Sequence, residues 1–248
     1  MSIGTPTVVD SGTTSANTND PTVVAMGLGF APAVDDILVV FFRATRGSST
    51  MTGTPSLAHA AFSGGFTLRA SVVVADGTNR SRLMVFTGRA DGTTSDQIDT
   101  LTGETANNTS RHLMAVKIPG AHLTTPMPSG QSGQQNEANT TDGTITPSLP
   151  SAPAGTSITL AAIAVNDATP TEPTVPSGWT KLGSFLTEIN PTGGMLVAYK
   201  NPGEQNAAFT GAESASTTTD LASVIIEIQE EPASGGGIVV KVLQAHGG

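Results

Sequence analysis

The chain has 248 residues, with 20 Asp and Glu against 11 Lys and Arg for a net charge of −9, and no cysteine. So acidic a chain, with its basic residues dispersed, lacks the clustered cations that a phosphate backbone demands, which argues against nucleic-acid binding. The missing thiols exclude disulfides and thiolate metal centres. Charged residues make up only 12 %, about half the ~25 % of an ordinary domain. The surface is therefore left to Thr, Ser, Asn, Gln and Gly, a composition that suits a member of an assembly better than a soluble metabolic enzyme.

Residues 1–20 are rich in Thr and Ser and read as an N-terminal arm, or as an extra strand near residues 7–9. Met1-Ser2-Ile3-Gly4 does not begin a basic region followed by an apolar core, so no secretory signal is expected. No apolar run approaches the roughly 20 residues that cross a bilayer. From residue 21 the pattern is β throughout. Short segments rich in Val, Ile, Thr and Phe alternate with turn clusters, as in sandwiches and barrels. Strands are expected at 22–28, 37–45, 66–74, 82–89, 97–102 and 111–118, with turns at Asp76-Gly77, Asp91-Gly92 and Gly47-Ser48-Ser49 between them. The segment 121–146, with Ser129-Gly130-Gln131-Ser132-Gly133-Gln134-Gln135-Asn136 at its centre, has almost no strand formers. Its middle reads as a long exposed linker, with edge strands expected only at its ends. Further strands are expected at 157–166, 179–187, 195–200, 207–210 and 221–229. No stretch shows a helical period.

The C-terminus departs from this rhythm. After Glu230-Glu231-Pro232 comes the tether Ser234-Gly235-Gly236-Gly237, then Ile238-Val239-Val240-Lys241-Val242-Leu243. A flexible tether ending in an apolar β segment is what donation of a strand to another sheet requires. Left unpaired in water, such a strand invites aggregation. Ile238, Val239, Val240, Val242 and Leu243 are therefore the candidate assembly residues, pairing within the subunit or with a neighbour.

The chain also repeats itself. Phe66-Thr67 lies over Trp179-Thr180 with Gly65 on Gly178 and Ser71 on Ser184; Pro32-Ala33 precedes Ile37 as Pro153-Ala154 precedes Ile158; Thr102-Gly103 answers Thr210-Gly211. An ungapped continuation sets Leu83-Met84-Val85-Phe86 on Leu196-Val197-Ala198-Tyr199. A period of roughly 100 residues is a duplicated domain, since solenoid repeats run to about 20–50. The expected organisation is all-β: an arm (1–20), a first antiparallel β-sandwich repeat (21–120), a polar linker (121–146), a second repeat (147–231), and a tether with a terminal strand (232–248). Phe66, Phe86, Trp179 and Tyr199 are expected to pin the repeat cores. Whether the two repeats share a core is left open.

Chemistry is sparse. The histidines, His59, His112, His122 and His246, show no metal-ligand spacing, and His112 reads as a strand-end residue. Gly27-Leu28-Gly29 lacks the third glycine and the helix of a phosphate loop. Asp35-Asp36, Asn166-Asp167 and Asn19-Asp20 could offer oxygen ligands to Ca²⁺, but Asp and Asn at strand ends are explained by turn formation. Arg43, Arg46, Arg69, Arg80, Arg82 and Arg89 crowd the first half and read as a solvated face rather than an anion site. No enzyme, cofactor or metal is expected.

Three segments carry a resemblance: Pro-Ser-Gly-Trp-Thr-Lys-Leu (176–182), Gly-Gly-Met-Leu-Val-Ala-Tyr-Lys (193–200) and Leu-Ala-Ser-Val-Ile-Ile-Glu-Ile (221–228). Together they resemble the Gly-Trp-Thr … Leu-Ala-Val-Tyr-Tyr-Lys … Ala-Val-Ile-Glu-Ile pattern of tandem, jelly-roll-like β-sandwich proteins among bacteriophage structural genes. The first half carries it more weakly, with Phe66 in place of Trp. That family includes head-decoration proteins, head fibres or spikes, and minor tail proteins. The resemblance implies a non-enzymatic virion component, made in the host cytoplasm and most readily a head-decoration or head-spike protein. Its partners would be copies of itself and a major capsid or other virion protein. The alternative is a receptor- or polysaccharide-binding adhesin or minor tail protein contacting a host surface glycan.

Overall fold

A computed structural model describes residues 2–14, 22–25, 32–46, 53–59, 61–76, 79–92, 98–102, 110–140, 143–166, 171–185, 193–211 and 219–232. Among them the first half forms β1 (Thr7–Thr14), β2 (Thr22–Ala25), β3 (Ile37–Arg46), β4 (Ser56–Ala58), β5 (Thr67–Asp76), β6 (Asn79–Arg89), β7 (Ile98–Thr102) and β8 (Ser110–Lys117). The second forms β9 (Ser132–Thr140), β10 (Ile158–Asn166), β11 (Thr180–Phe185), β12 (Gly193–Lys200) and β13 (Thr219–Ile228). All pairings between them are antiparallel. The molecule is all-β, as the composition of its segments predicts.

The strands build two five-stranded sheets, ordered β1-β8-β3-β6-β5 and β11-β12-β10-β13-β9, and a small sheet ordered β2-β7-β4. β3 shows why the large sheets lie in the interior. In the run Ile-Leu-Val-Val-Phe-Phe both alternating faces are apolar, the signature of a strand buried on two sides. Ile37, Val39 and Phe41 enter one cluster, while Leu38, Val40, Phe42 and Ala44 enter another. β10 divides likewise, Leu160 and Ala162 to the shared cluster and Ala161, Ile163 and Val165 to a third. The result is two sandwiches set back to back. Each large sheet is covered outside by its own layer, and the two large sheets press together on a core drawn from both halves.

The duplication is complete at the level of pairing. β3, β5, β6, β8 and β1 correspond to β10, β11, β12, β13 and β9, and the two sheet orders are then identical. The outer layer repeats too. Ser56 opposite Thr102 and Thr22 opposite Leu101 are matched by bridges from Thr174 to Thr210 and from Ile145 to Phe209. The turn entering each half closes in the same way, Asp36 N–H on the Ala33 carbonyl (3.1 Å) and Ser157 N–H on the Ala154 carbonyl (2.9 Å). Even the irregularity of β5 at Leu68/Ala70 recurs in β11 at Lys181/Gly183. Across the shared core β5 lies against β9, and β1 meets β11. Corresponding strands have thus exchanged places, as an internal two-fold requires.

Two expectations need correction, and one alternative is decided. Ser132–Thr140, in the middle of the anticipated exposed linker, is strand β9 on the edge of the second sheet, paired with β13. Of the two readings of the N-terminal segment, the strand is the one that forms: β1 is an edge strand paired with β8. Each repeat therefore begins one strand earlier than its apolar pattern suggests. The ungapped alignment of Phe86 with Tyr199 slips by one residue. Thr67 pairs with Thr87, and its counterpart Thr180 pairs with Tyr199, so Tyr199 answers Thr87 and Phe86 answers Ala198. In a strand that slip exchanges faces. Phe86 fills the outer core of the first half, whereas Tyr199 packs beside the shared core. The terminal candidates Ile238, Val239, Val240, Val242 and Leu243 lie outside the described residues.

Candidate functional site

The shared core ends differently at its two poles. Where β3 finishes, the inner face turns from apolar to polar. Arg43 is fully buried there; its Nε donates to Ser81 Oγ (3.1 Å) and its Nη2 reaches across to the Val165 carbonyl of the other sheet (3.2 Å). Gly193 makes room for it: a Cβ at that position would sit 2.2 Å from Arg43 Nη2. His112, beside Arg43 in the pairing of β3 with β8, is also fully buried, its ring 5.3 Å from that of Phe185. Burial, reinforced by the neighbouring guanidinium, drives its pKa down to about 2. From the second sheet Asn166 Nδ2 donates to Asp220 Oδ2 (3.4 Å) at the same pole. This is a closed polar plug, and it corrects the sequence reading of Arg43, which belongs to no solvated face. His112 lies near the start of β8, as expected, but wholly buried.

The opposite pole, where β3 begins, is open. Asp35 holds a left-handed φ of 71°, a conformation that Asp tolerates better than most residues. Its carboxylate accepts from Arg89 Nη2 at 2.5 Å, and Asp36 pairs with Lys117 at 2.7 Å. The segment after β8 runs beside the end of β13. His122 N–H donates to the Gln229 carbonyl (3.0 Å), Glu231 N–H to the Gly120 carbonyl (3.0 Å), and Leu123 N–H to Glu231 Oε2 (2.6 Å). Three hollows lie at this pole, two of them walled partly by this segment. One of about 330 Å³ is mostly apolar, with Ile37, Ile118, Ala121 and Leu123 in its wall. One of about 390 Å³ runs past Val34, Ser63 and Asp91. The third, about 160 Å³, is polar and holds Arg69, Thr67, Thr87 and Thr124.

The four aromatic residues expected as core pins divide by environment. Phe86 is wholly inaccessible and Trp179 is 8 % exposed, while Phe66 and Tyr199 are half-buried. Trp179 Nε1 donates to Glu204 Oε2 (3.2 Å), and Glu204 is gripped in turn by Lys200 (2.9 Å). A sugar platform at Trp179 would need the indole face that is buried here. Asp35 and Asp36, candidate cation ligands, are each tied to a basic side chain, and the described residues contain no group of three His, Asp or Glu able to hold a metal ion. Nor do they contain a helix long and apolar enough to cross a membrane. What sequence reasoning missed is the Arg69 hollow. Its one available signal was a repeat partner of unlike chemistry, Leu182.

No protein-family model matches the chain, and no curated protein matches it in sequence. Among solved structures, the X-ray structure of Melon necrotic spot virus matches over 92 % of this chain and 97 % of its own, at 13 % identity and a TM-score of 0.25. A likeness that faint says nothing about what this chain does.

Proposed function

We propose that the chain is a non-enzymatic structural component of a phage or phage-like particle, a head-decoration or head-spike protein that assembles through broad surface contacts and exchange of its terminal strand. The observation that carries this reading is the back-to-back duplication. A doubled sandwich with a shared core is a rigid block that presents two related outer surfaces. The few charges of those surfaces, 12 % of all residues, favour close packing between copies. The resemblance of residues 176–182, 193–200 and 221–228 to tandem phage sandwich proteins supports the same conclusion. Repetition of weak contacts over many copies gives durable attachment through effective concentration.

Immunogold electron microscopy on particles from the source lysate tests the proposal. Label spread over heads is the expected result. Label confined to tail tips would replace it with the adhesin reading, and particles without label would reject both. The terminal strand is tested separately: removing residues 235–248 should abolish particle incorporation while leaving the sandwiches folded, and unchanged incorporation would exclude strand exchange.

A further inference from the structure

Arg69 is the extra residue of the bulge in β5, and it leans into the small polar hollow at the open pole. Its Nε donates to Thr87 Oγ1 (2.6 Å), and no carboxylate among the described residues pairs with it. The other cations of this pole, Arg89 and Lys117, are each spoken for by an aspartate. Acidic residues outnumber basic ones 20 to 11 in this chain, yet none of those described is set against this partly buried guanidinium. Desolvation disfavours its charged form, so leaving it without an anion costs free energy.

The second repeat supplies an internal control. At the same place in the same bulge stands Leu182, which packs against the shared core. Thr87 is answered by Tyr199, and Arg89, by the same register, by Asn201. The same bulge forms around Leu182, so the bulge itself does not call for an arginine. We propose that the hollow of Arg69, Thr67, Thr87 and Thr124 is a binding pocket for a single carboxylate, occupied in the assembled particle by an Asp or Glu side chain of a neighbouring subunit. The Arg69 guanidinium and three threonine hydroxyls line it, the donor types that bind a carboxylate. The volume of about 160 Å³ admits an acidic group and a few carbons. No aromatic side chain lines it, which favours a protein carboxylate over a stacked sugar acid. The carboxylate preference stands on the geometry alone, whereas the identity of the occupant rests on the assembly proposed above.

The test follows the arginine Nε–Hε resonances of the full-length ¹⁵N-labelled chain at constant ionic strength. The added probes are acetate, a blocked glutamate (N-acetylglutamate α-amide), glucuronate and uncharged glucose. The resonance missing from Arg69→Leu should shift saturably with acetate and blocked glutamate, with affinities within about tenfold of each other, and not with glucose. Arg69→Leu, which copies the sister repeat, should keep its melting temperature, and Arg69→Gln serves as a second variant should it not. The absence of a saturable shift overturns the pocket. Glucuronate binding ten or more times tighter than blocked glutamate overturns the subunit side chain in favour of an acidic glycan. In competition with wild type, Arg69→Leu should enter particles at least tenfold less often. Equal incorporation rejects the inter-subunit role and leaves the particle reading standing. If wild type itself fails to incorporate, the particle reading falls, and the titration alone still decides the pocket.

Discussion

His112 shows how a single side chain can set the acid limit of a fold. Its ordinary pKa of 6.5 falls to about 2 in the folded protein. Above pH 6.5 neither state carries a proton at this site, and it is silent. Below 6.5 the unfolded chain takes up a proton that the native state refuses, so stability falls with pH until about pH 2 is reached. One proton corresponds to at most about 1.4 kcal/mol per pH unit. His59, whose pKa burial also lowers, acts with the same sign. Glu172 and Glu204 are held below the usual 4.5 by hydrogen bonds from Lys181 and Lys200, so their loss is confined to lower pH. The interval from pH 6.5 to 5 therefore lies above the range of these two carboxylates and within that of the two histidines. Urea midpoints should fall across it in wild type, and His112→Phe should flatten the slope by up to one proton. A variant as steep as wild type would show that His112 is not the group responsible.

At the scale of elements, the edges and faces of strands decide what the sequence reveals. β9 is polar along its length, yet Gly133 sits so close to the next segment that a Cβ there would lie 1.8 Å from the Ser148 carbonyl oxygen. Gly133→Ala must displace backbone and should cost about 1–3 kcal/mol or more. Gly183→Ala, by contrast, would meet only the mobile methyl end of Met114, at 2.7 Å, and should cost less. Equal urea denaturation midpoints for the two variants would contradict the close approach. Phe86→Ala should likewise cost about 3–5 kcal/mol, clearly more than Tyr199→Ala, because the two residues occupy different faces and burial classes.

The same two elements mark the limit of legibility. The apolar strands and the duplication could be read from composition and repeated motifs, because burial on both faces writes long Val/Ile/Phe runs. For the same reason, such runs carry no alternation to reveal which residue faces which core, and nothing local fixes whether Phe86 answers Ala198 or Tyr199. β9 was hidden because it owes its structure to a partner strand and a close contact, neither of which is local in sequence. The Arg69 hollow depends on a bulge and on residues 123–126 arriving from elsewhere in the chain, so only the divergence of the repeats could have hinted at it.

For the whole molecule, the shared core ties the halves into one thermodynamic unit. Phe41, Val85 and Val116 from one sheet and Leu160, Val197 and Ile226 from the other are fully buried in it. At about 1.5–3 kcal/mol per large apolar side chain, exposing these six would cost about as much as the roughly 5–15 kcal/mol that stabilises a typical domain. Calorimetry should therefore record one transition for the intact chain rather than two, and residues 1–120 expressed alone should fail to give a soluble monomer. Two separable transitions would show that the sandwiches are energetically independent.

The four outermost strands of the large sheets, β1, β5, β9 and β11, each carry one more residue than the neighbour they pair with, while the pairings of β3 with β6 and β8, and of β10 with β12 and β13, run without a break. A kinked rim is a poor template for another chain. Under the assembly proposed above, copies held at high density would thereby be kept from zipping laterally into endless ribbons, leaving ends and outer faces for contacts that close on themselves.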